Sequence, residues 1–165
     1  MDWFVVATKP NSEKTAELNL RQQGFDVFLP LIEKTRRHAR RVDKVLRPIF
    51  PSYLFVRFDA NIMPWHSING TIGVRHLLTN NGRPQPVAKN FVEILLSKLN
   101  EHGAVEEQSQ PFQVGSKVEV AAGAMQGQLA TILSADDHGR MQILLAMMGG
   151  EIVTTISPED LELAS

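Results

Sequence analysis

The residues that could perform catalysis are spread along the chain without the spacing of a catalytic or metal site. There is no cysteine, which excludes disulfides, thiolate nucleophiles and thiolate metal ligands. The pair Asp136–Asp137 runs into His138 and Gly139, a combination typical of a turn. The five histidines lack metal-ligand spacing: His38, His66, His76, His102 and His138. We therefore expect a binding protein with no cofactor and no metal, not an enzyme.

A basic run between residues 34 and 47 could bind phosphates. Its cations are Lys34, Arg36, Arg37, Arg40, Arg41, Lys44 and Arg47. Asp43 is the only acid among them. One interpretation is a nucleic-acid contact that includes Arg36, Arg37, Arg40 and Arg41, with salt-dependent affinity. The other is a solvated hairpin whose charges only maintain solubility. No aromatic residue interrupts the run, so base stacking is not expected.

The near-neutral net charge of −1 hides a division of the chain. Residues 1–98 carry 15 Lys and Arg against 8 Asp and Glu, whereas residues 99–165 carry 2 against 10. The first part suits a polyanion and the second does not, which indicates two surfaces for different partners. No apolar run approaches the length of about 20 residues that spans a bilayer. Without a signal-peptide pattern either, we expect a cytoplasmic protein that makes no membrane contact.

Strands interleaved with two amphipathic helices predict an α/β sandwich over residues 1–100. The predicted strands are Trp3–Ala7, Phe25–Leu29, Ile49–Phe58 and Val74–Leu78, with a charged excursion or hairpin at 33–47. Asn11 or Ser12 should cap a helix that runs to about Gln23 and stops at Gly24. A capping box of Asn90 and Glu93 should start the second helix, at 91–99.

The aromatic residues of the third predicted strand alternate with aliphatic ones. Tyr53 and Phe55 share one side of the strand, and Leu54 and Val56 share the other. Either aromatic residue, like Trp3, could belong to the core. A strand with one buried side would instead present the two aromatic rings as an interface anchor beside Arg57.

Residues 101–112 are polar and aperiodic, and we interpret them as a linker. Beyond them, short strands at 117–121, 128–134, 140–147 and 151–156 alternate with glycine-containing turns. This spacing predicts a small β-barrel domain at 113–165. A helical hairpin is the alternative, because residues 141–148 are mostly good helix formers.

Both parts of the sequence resemble the NusG family of transcription factors. The N-terminal motifs are Trp3-Phe4-Val5-Val6, Phe50-Pro51-Ser52-Tyr53-Leu54-Phe55-Val56 and Trp65-His66-Ser67-Ile68-Asn69, followed by Gly73-Val74. The segment Val114–Val120, with Gly123, Gly127 and Ala130–Ile132, resembles the family's KOW motif. The resemblance implies an α+β protein with an N-terminal α/β sandwich and a C-terminal SH3-like barrel.

The resemblance also implies an elongation or antitermination factor that binds RNA polymerase and suppresses pausing. Trp3, Tyr53 and Phe55 would contact the clamp helices of the largest subunit. Trp65, His66 and Ser67 would contact the gate loop of the second-largest subunit. Upstream or non-template DNA would lie near a set of polar residues on the first helix and before it: Lys9, Lys14, Arg21, Gln22 and Gln23.

Met125 and Ile152 are candidates for docking a partner of the KOW domain, a small ribosomal subunit protein or Rho, unless both are ordinary barrel residues. We expect a monomer.

The sequence Pro48–Tyr53 and the residue Ala130 resemble the specialised RfaH branch, in which the C-terminal domain can fold as a helical hairpin that masks the clamp site. A stand-alone RNA-binding or ribosome-associated module is the rival function, although its barrel should be basic and this one is acidic.

Overall fold

The computed structural model describes residues 1–88, 90–106, 114–135, 141–147 and 150–164, and only the backbone at 134–135, 141–142, 145–147 and 150–152. The chain forms two compact units, Met1–Glu107 and Gln108–Ser165. The first is mixed α/β and the second is built of strands, which confirms the predicted fold class. Neither α-helix of the described ranges is long and apolar enough to cross a membrane.

The first unit is organised around a four-stranded antiparallel sheet. Its elements are β1 (Asp2–Thr8), α1 (Glu13–Gln22), β2 (Asp26–Phe28), β3 (Leu31–His38), β4 (Arg41–Pro48), β5 (Tyr53–Phe58), β6 (Val74–Leu77), β7 (Thr79–Asn80), β8 (Arg83–Pro84), α2 (Phe91–Ser97) and β9 (Val105–Glu106). The strands follow the order β2-β5-β1-β6. Because β1 is central and aliphatic, its residues Phe4 to Thr8 are all buried, so both faces of the sheet are covered there.

Helix α1 covers one face of this sheet. Its residues Ala16 and Leu20 are fully buried against a core that includes Phe4 and Val56. Ser12 precedes the helix but makes no side-chain cap, since its hydroxyl donates to the Pro10 carbonyl. The helix stops where predicted, with Gly24 at a φ of 92° that favours glycine.

The approach to β5 differs from the predicted long strand. Only Tyr53–Phe58 is extended. The preceding residues turn, with the Tyr53 amide donating to the Phe50 carbonyl at 2.9 Å and Ser52 in a left-handed conformation at φ 71°. The buried carboxylate of Glu13 accepts the Ser52 amide at 2.9 Å and so ties this turn to the start of α1.

Helix α2 contributes to the opposite side of the sheet. Its start contradicts the predicted capping box: Asn90 adopts a left-handed conformation at φ 64°, and its side chain makes no capping hydrogen bond. A residue in that conformation cannot aim its side chain at the first helical amides as a capping residue does. The helix is also shorter than predicted, because it ends at Ser97.

The charged segment forms a hairpin of β3 and β4, one of the two predicted forms, paired from Leu31↔Pro48 to His38↔Arg41. Strand β9 runs parallel to the base of β3, through the pairs Ile32↔Val105 and Glu33↔Glu106. Residues 101–106, expected in the linker, therefore pack on the first unit, so this unit extends beyond the predicted boundary at residue 100.

The second unit is a five-stranded antiparallel sheet of β10 (Lys117–Val120), β11 (Leu129–Ala135), β12 (Met141–Met147), β13 (Gly150–Ile156) and β14 (Leu161–Leu163). The strands follow the order β13-β12-β11-β10-β14. A core that includes Val118, Ile132 and Ile143 lies between them. The strands exclude the helical-hairpin alternative for this structure. The last strand was absent from the predicted pattern because it is only three residues long.

Candidate functional site

Three predicted site residues lie on one face of the first sheet. The register pairs Trp3 with Arg57, Val5 with Phe55 and Ala7 with Tyr53, and paired residues of an antiparallel sheet share a face. This is the face opposite α1, because Phe4 and Val56 point into the α1 core. Trp3 and Tyr53 are half-buried, so each keeps part of its ring at the surface.

Of the two alternatives for Phe55, a core residue or an exposed anchor, the structure shows the core residue. Its relative exposure is 0%. The ring packs edge-on against Phe50, with 5.6 Å between ring centroids, and against Phe91 of α2 at 5.3 Å. Strand alternation assigned Phe55 to the correct face, but it could not show that the 50–53 turn and α2 cover this end of the face.

The surroundings of Trp3 complete a compact aromatic surface. The Arg57 guanidinium lies 5.4 Å from the indole centroid, a cation–π distance, and Phe28 meets the indole edge-on at 6.5 Å. Arg57 is held in place by Asp26 at 2.8 Å. The indole N–H is buried and has no hydrogen-bond partner among the described residues. Phe28 and Asp26 were missed by the sequence analysis because strand pairing, not local spacing, brings β2 beside β5.

A second aromatic site is formed by the predicted gate-loop residues. Trp65, His66 and Ser67 begin a 3-10 helix, Trp65–Gly70. The Trp65 and His66 rings stack with 3.8 Å between centroids and 20° between planes. Trp65 is half-buried against the α1-side core, whereas His66 and Ser67 are exposed. The two tryptophan sites therefore lie on opposite faces of the same sheet.

The polar residues predicted near DNA divide into two groups. Lys9, Lys14 and Gln22 are exposed. Arg21 and Gln23 are exposed as well, but their side chains are also used within the fold: Arg21 donates to the Val27 carbonyl at 2.5 Å, and Gln23 donates to the Thr71 hydroxyl at 2.7 Å. Their bonds hold α1 to neighbouring elements, so a DNA contact by either of them would compete with these bonds.

The predicted phosphate contacts Arg36, Arg37, Arg40 and Arg41 are all exposed on the β3–β4 hairpin. Arg40 lies in the two-residue turn at the tip, where Ala39 has a φ of 54°. Arg36 forms an ion pair with Asp43 at 3.3 Å.

A buried carboxylate fixes the base of this hairpin. Glu33 accepts hydrogen bonds from Asn100 at 2.8 Å and His102 at 2.9 Å, and Lys44 lies 3.3 Å away. The hydrogen bond from His102, then that from Asn100, lowers the pKa of Glu33 from 4.5 to about 2. The same hydrogen bond raises the pKa of His102 above its usual value of 6.5. This cluster also joins residues 100–102 to the hairpin.

The predicted docking residues of the second unit are placed differently. Met125 is half-buried and packs against the core of the sheet. The backbone of Ile152 lies in β13, and its side chain lies outside the described part of the structure. Leu129 and Leu163, by contrast, are exposed apolar residues of the same sheet that the sequence analysis did not select.

The first unit therefore carries two aromatic surfaces and a basic hairpin, and partly exposed aromatic rings and cations are residue types with which proteins bind other macromolecules. Residues 1–96 match the family model described as transcription termination factor NusG. The transcription termination/antitermination protein NusG of Helicobacter pylori is 24% identical over 162 residues, covering 90% of each chain. The NusG protein of Staphylococcus epidermidis is also 24% identical, covering 97% of this chain and 94% of its own. A solved structure of Thermotoga maritima NusG, described as showing a domain interaction, covers 99% of this chain at 20% identity with a TM-score of 0.41.

The chain belongs to the NusG family. Its members are transcription factors and not enzymes, so this protein acts in transcription by binding other macromolecules.

Proposed function

We propose that this protein is a transcription elongation and antitermination factor that bridges two parts of RNA polymerase and suppresses pausing. The observation that carries the proposal is the placement of two half-buried tryptophans, Trp3 and Trp65, on opposite faces of one sheet. A protein with anchors on opposite faces can contact two walls of a cleft at once. Bridging the walls stabilises the closed state of the clamp, which requires only differential binding and no covalent chemistry.

The first anchor is proposed to bind the clamp helices of the largest polymerase subunit. Trp3 and Tyr53 supply partly exposed aromatic rings, and aromatic residues are enriched among residues that dominate binding energy. Phe55 acts from beneath as a support. Because it is buried, it holds the surface in shape without touching the partner.

The second anchor is proposed to bind the gate loop of the second-largest subunit. His66 is exposed and held flat against Trp65, so little rotamer freedom remains to be lost on binding. Ser67 is exposed beside it, and its hydroxyl donates to the Pro64 carbonyl at 3.2 Å.

Upstream or non-template DNA is proposed to lie near α1, where Lys9, Lys14 and Gln22 remain exposed. The basic hairpin would extend this contact. Arg21 and Gln23 serve mainly to hold α1 in place, given their bonds to Val27 and Thr71.

The second unit is proposed to recruit a further partner, a basic small ribosomal subunit protein or Rho. The excess of acids after residue 98 favours a basic partner. Met125 and Ile152 are retained as docking candidates, and the exposed Leu129 and Leu163 join them. Assignment to the RfaH-like branch stays a prediction, as does the division into a polymerase-binding domain and a KOW domain.

A pause-escape assay with purified RNA polymerase tests the bridging model. Full-length Trp3→Ala and Trp65→Ala should each lose most of the antipausing activity, because one remaining anchor binds without bridging. Val42→Ala is the control, since Val42 is an exposed apolar residue that lies outside both aromatic surfaces. Full antipausing activity in either tryptophan variant, with its fold intact by tryptophan fluorescence, would refute the bridging model.

A further inference from the structure

The β3–β4 hairpin has two faces of different character. Side chains of directly paired residues in an antiparallel ladder project to the same face, and successive pairs alternate. The cationic face carries the pairs Ile32↔Arg47, Lys34↔Val45, Arg36↔Asp43 and His38↔Arg41. The mixed face carries the pairs Leu31↔Pro48, Glu33↔Leu46, Thr35↔Lys44 and Arg37↔Val42.

The cationic face concentrates the positive charge of the hairpin. Four permanent cations stand on it against one acid: Lys34, Arg36, Arg41 and Arg47 against Asp43. Toward the tip, Arg36, His38, Arg41 and Asp43 line one open depression, which places both arginines beside the same space. Residues 34 and 38 are four strand positions apart, or about 13 Å, so the charges are spread along the hairpin.

The mixed face differs from the cationic face in that it carries exposed apolar side chains and fewer free charges. Val42 is 64% exposed and Leu46 is 46% exposed. Its acid, Glu33, is buried and holds Lys44 in an ion pair at 3.3 Å. Arg37 is thus the one cation of this face that Glu33 does not neutralise.

We propose that the cationic face of the hairpin is a phosphodiester-binding surface that binds the nucleic-acid backbone without reading its sequence. This inference rests on the proposed contact between the basic run and nucleic acid, and it restricts that contact to one face of the hairpin. Lys34 and Arg47, two further cations of the basic run, belong to the binding surface together with Arg36 and Arg41. Arg37 does not belong to it, although the sequence made Arg37 a candidate contact.

The chemistry of the face explains the type of recognition. It presents no Phe, Tyr or Trp ring, and its one imidazole, His38, stands beside the tip. The face therefore lacks the row of stacking rings by which single-stranded bases are usually bound. Lysine and arginine bind phosphate by charge and hydrogen bonds that carry no sequence information. Duplex nucleic acid has a higher linear charge density than a single strand and should therefore bind more tightly.

The test is a salt titration of full-length protein binding to a short duplex DNA of arbitrary sequence, with no polymerase present. Each phosphate contact contributes about 0.9 to the slope of log K against log salt concentration. The double variant Lys34→Gln/Arg41→Gln should therefore lower the slope by roughly 1.8. Arg41→Gln alone should lower the slope by roughly 0.9. Arg37→Gln is its matched control, because it removes the same single charge from the other face and should leave the slope almost unchanged. All three residues are exposed, so the fold should be retained.

Two further probes separate the possible ligands. Duplex RNA should bind with similar affinity, and single-stranded DNA should bind more weakly. A slope reduced as much by Arg37→Gln as by a single cationic-face substitution would overturn the division into faces. An unchanged slope in the double variant would overturn the site, and tighter binding of the single strand would overturn recognition by charge. None of these results would affect polymerase binding through Trp3, so failure of this inference is distinguishable from failure of the proposed function.

Discussion

Replacing Phe55 with alanine should destabilise the first unit rather than remove a surface contact. The ring is fully buried and lies 5.3 Å from Phe91 and 5.6 Å from Phe50, centroid to centroid. Truncating a buried phenylalanine to alanine costs about 3–5 kcal/mol, which combines lost transfer free energy with a cavity. The two edge-on ring pairs that would be lost place Phe55→Ala in the upper part of this range.

The assay is thermal or denaturant unfolding followed by tryptophan fluorescence. The chain has two tryptophans, Trp3 and Trp65, so the signal reports the first unit alone. A loss of 3 kcal/mol or more should lower the melting temperature by at least about 12 °C, given about 4–8 °C per kcal/mol for a unit of this size.

Tyr53→Ala is the matched comparison, because Tyr53 lies two residues away on the same face but is only half-buried. Full burial of a large apolar side chain contributes about 1.5–3 kcal/mol, so removing a half-buried ring should cost less than that. Equal, small losses for the two variants would refute the conclusion that α2 and the 50–53 turn cover Phe55. They would also favour the other alternative drawn from the sequence, an exposed Phe55.

Two further predictions concern the packing and the charge cluster of the first unit. Gly73→Ala should destabilise this unit by more than about 1 kcal/mol, measured by unfolding followed by tryptophan fluorescence. A Cβ at this position would lie 2.8 Å from the Ala16 backbone nitrogen, and Gly73 has a φ of 90°. A variant as stable as wild type would contradict this close approach. The Glu33–His102 cluster should stabilise the folded first unit most between about pH 4.5 and 6.5. The pKa of Glu33 is lowered, so its contribution is lost as the pH falls towards about 2. The pKa of His102 is raised, so its contribution is lost as the pH rises through that elevated pKa. The stability difference between wild type and Glu33→Gln should follow this profile, and a difference that is constant from pH 3 to 9 would contradict it.

Much of the first unit could be predicted from local patterns. The strand at Trp3 is aromatic and β-branched, and the helix that ends before Gly24 has its apolar positions Ala16 and Leu20 four residues apart. Both elements lie where the patterns indicated. The hairpin was one of two forms predicted for the charged segment, because only charge and no apolar periodicity marked it.

The errors arose where tertiary contacts decide the outcome. Alternation placed Phe55 on the correct face, but burial of that face depends on α2, which is more than thirty residues away in sequence. Strand β9 forms because it pairs with Ile32 and Glu33 at the base of the hairpin, about seventy residues earlier in the sequence. Local sequence does not indicate this pairing, so the polar segment without periodicity was interpreted as a linker. At Asn90 the composition suited a capping box, and the left-handed backbone overrode it.

The candidate surfaces were predictable only in part. Trp3 and Tyr53 were selected correctly as residues of one face, whereas Phe28 and Asp26 reach Trp3 and Arg57 only because β2 pairs with β5. The two faces of the hairpin depend on the pairing register, which the sequence did not define. A shift of one residue in that register would exchange the partners of every cation.

The most direct test of the proposed function is binding of the full-length protein to purified core RNA polymerase. Wild type should bind, and Trp3→Ala and Tyr53→Ala should each weaken binding at least tenfold while their fluorescence melting curves still show a folded first unit. Leu18→Ala, which removes an exposed apolar side chain on the α1 side, should bind as wild type does. Wild-type affinity in both folded aromatic variants would contradict the assignment of this surface to the polymerase clamp.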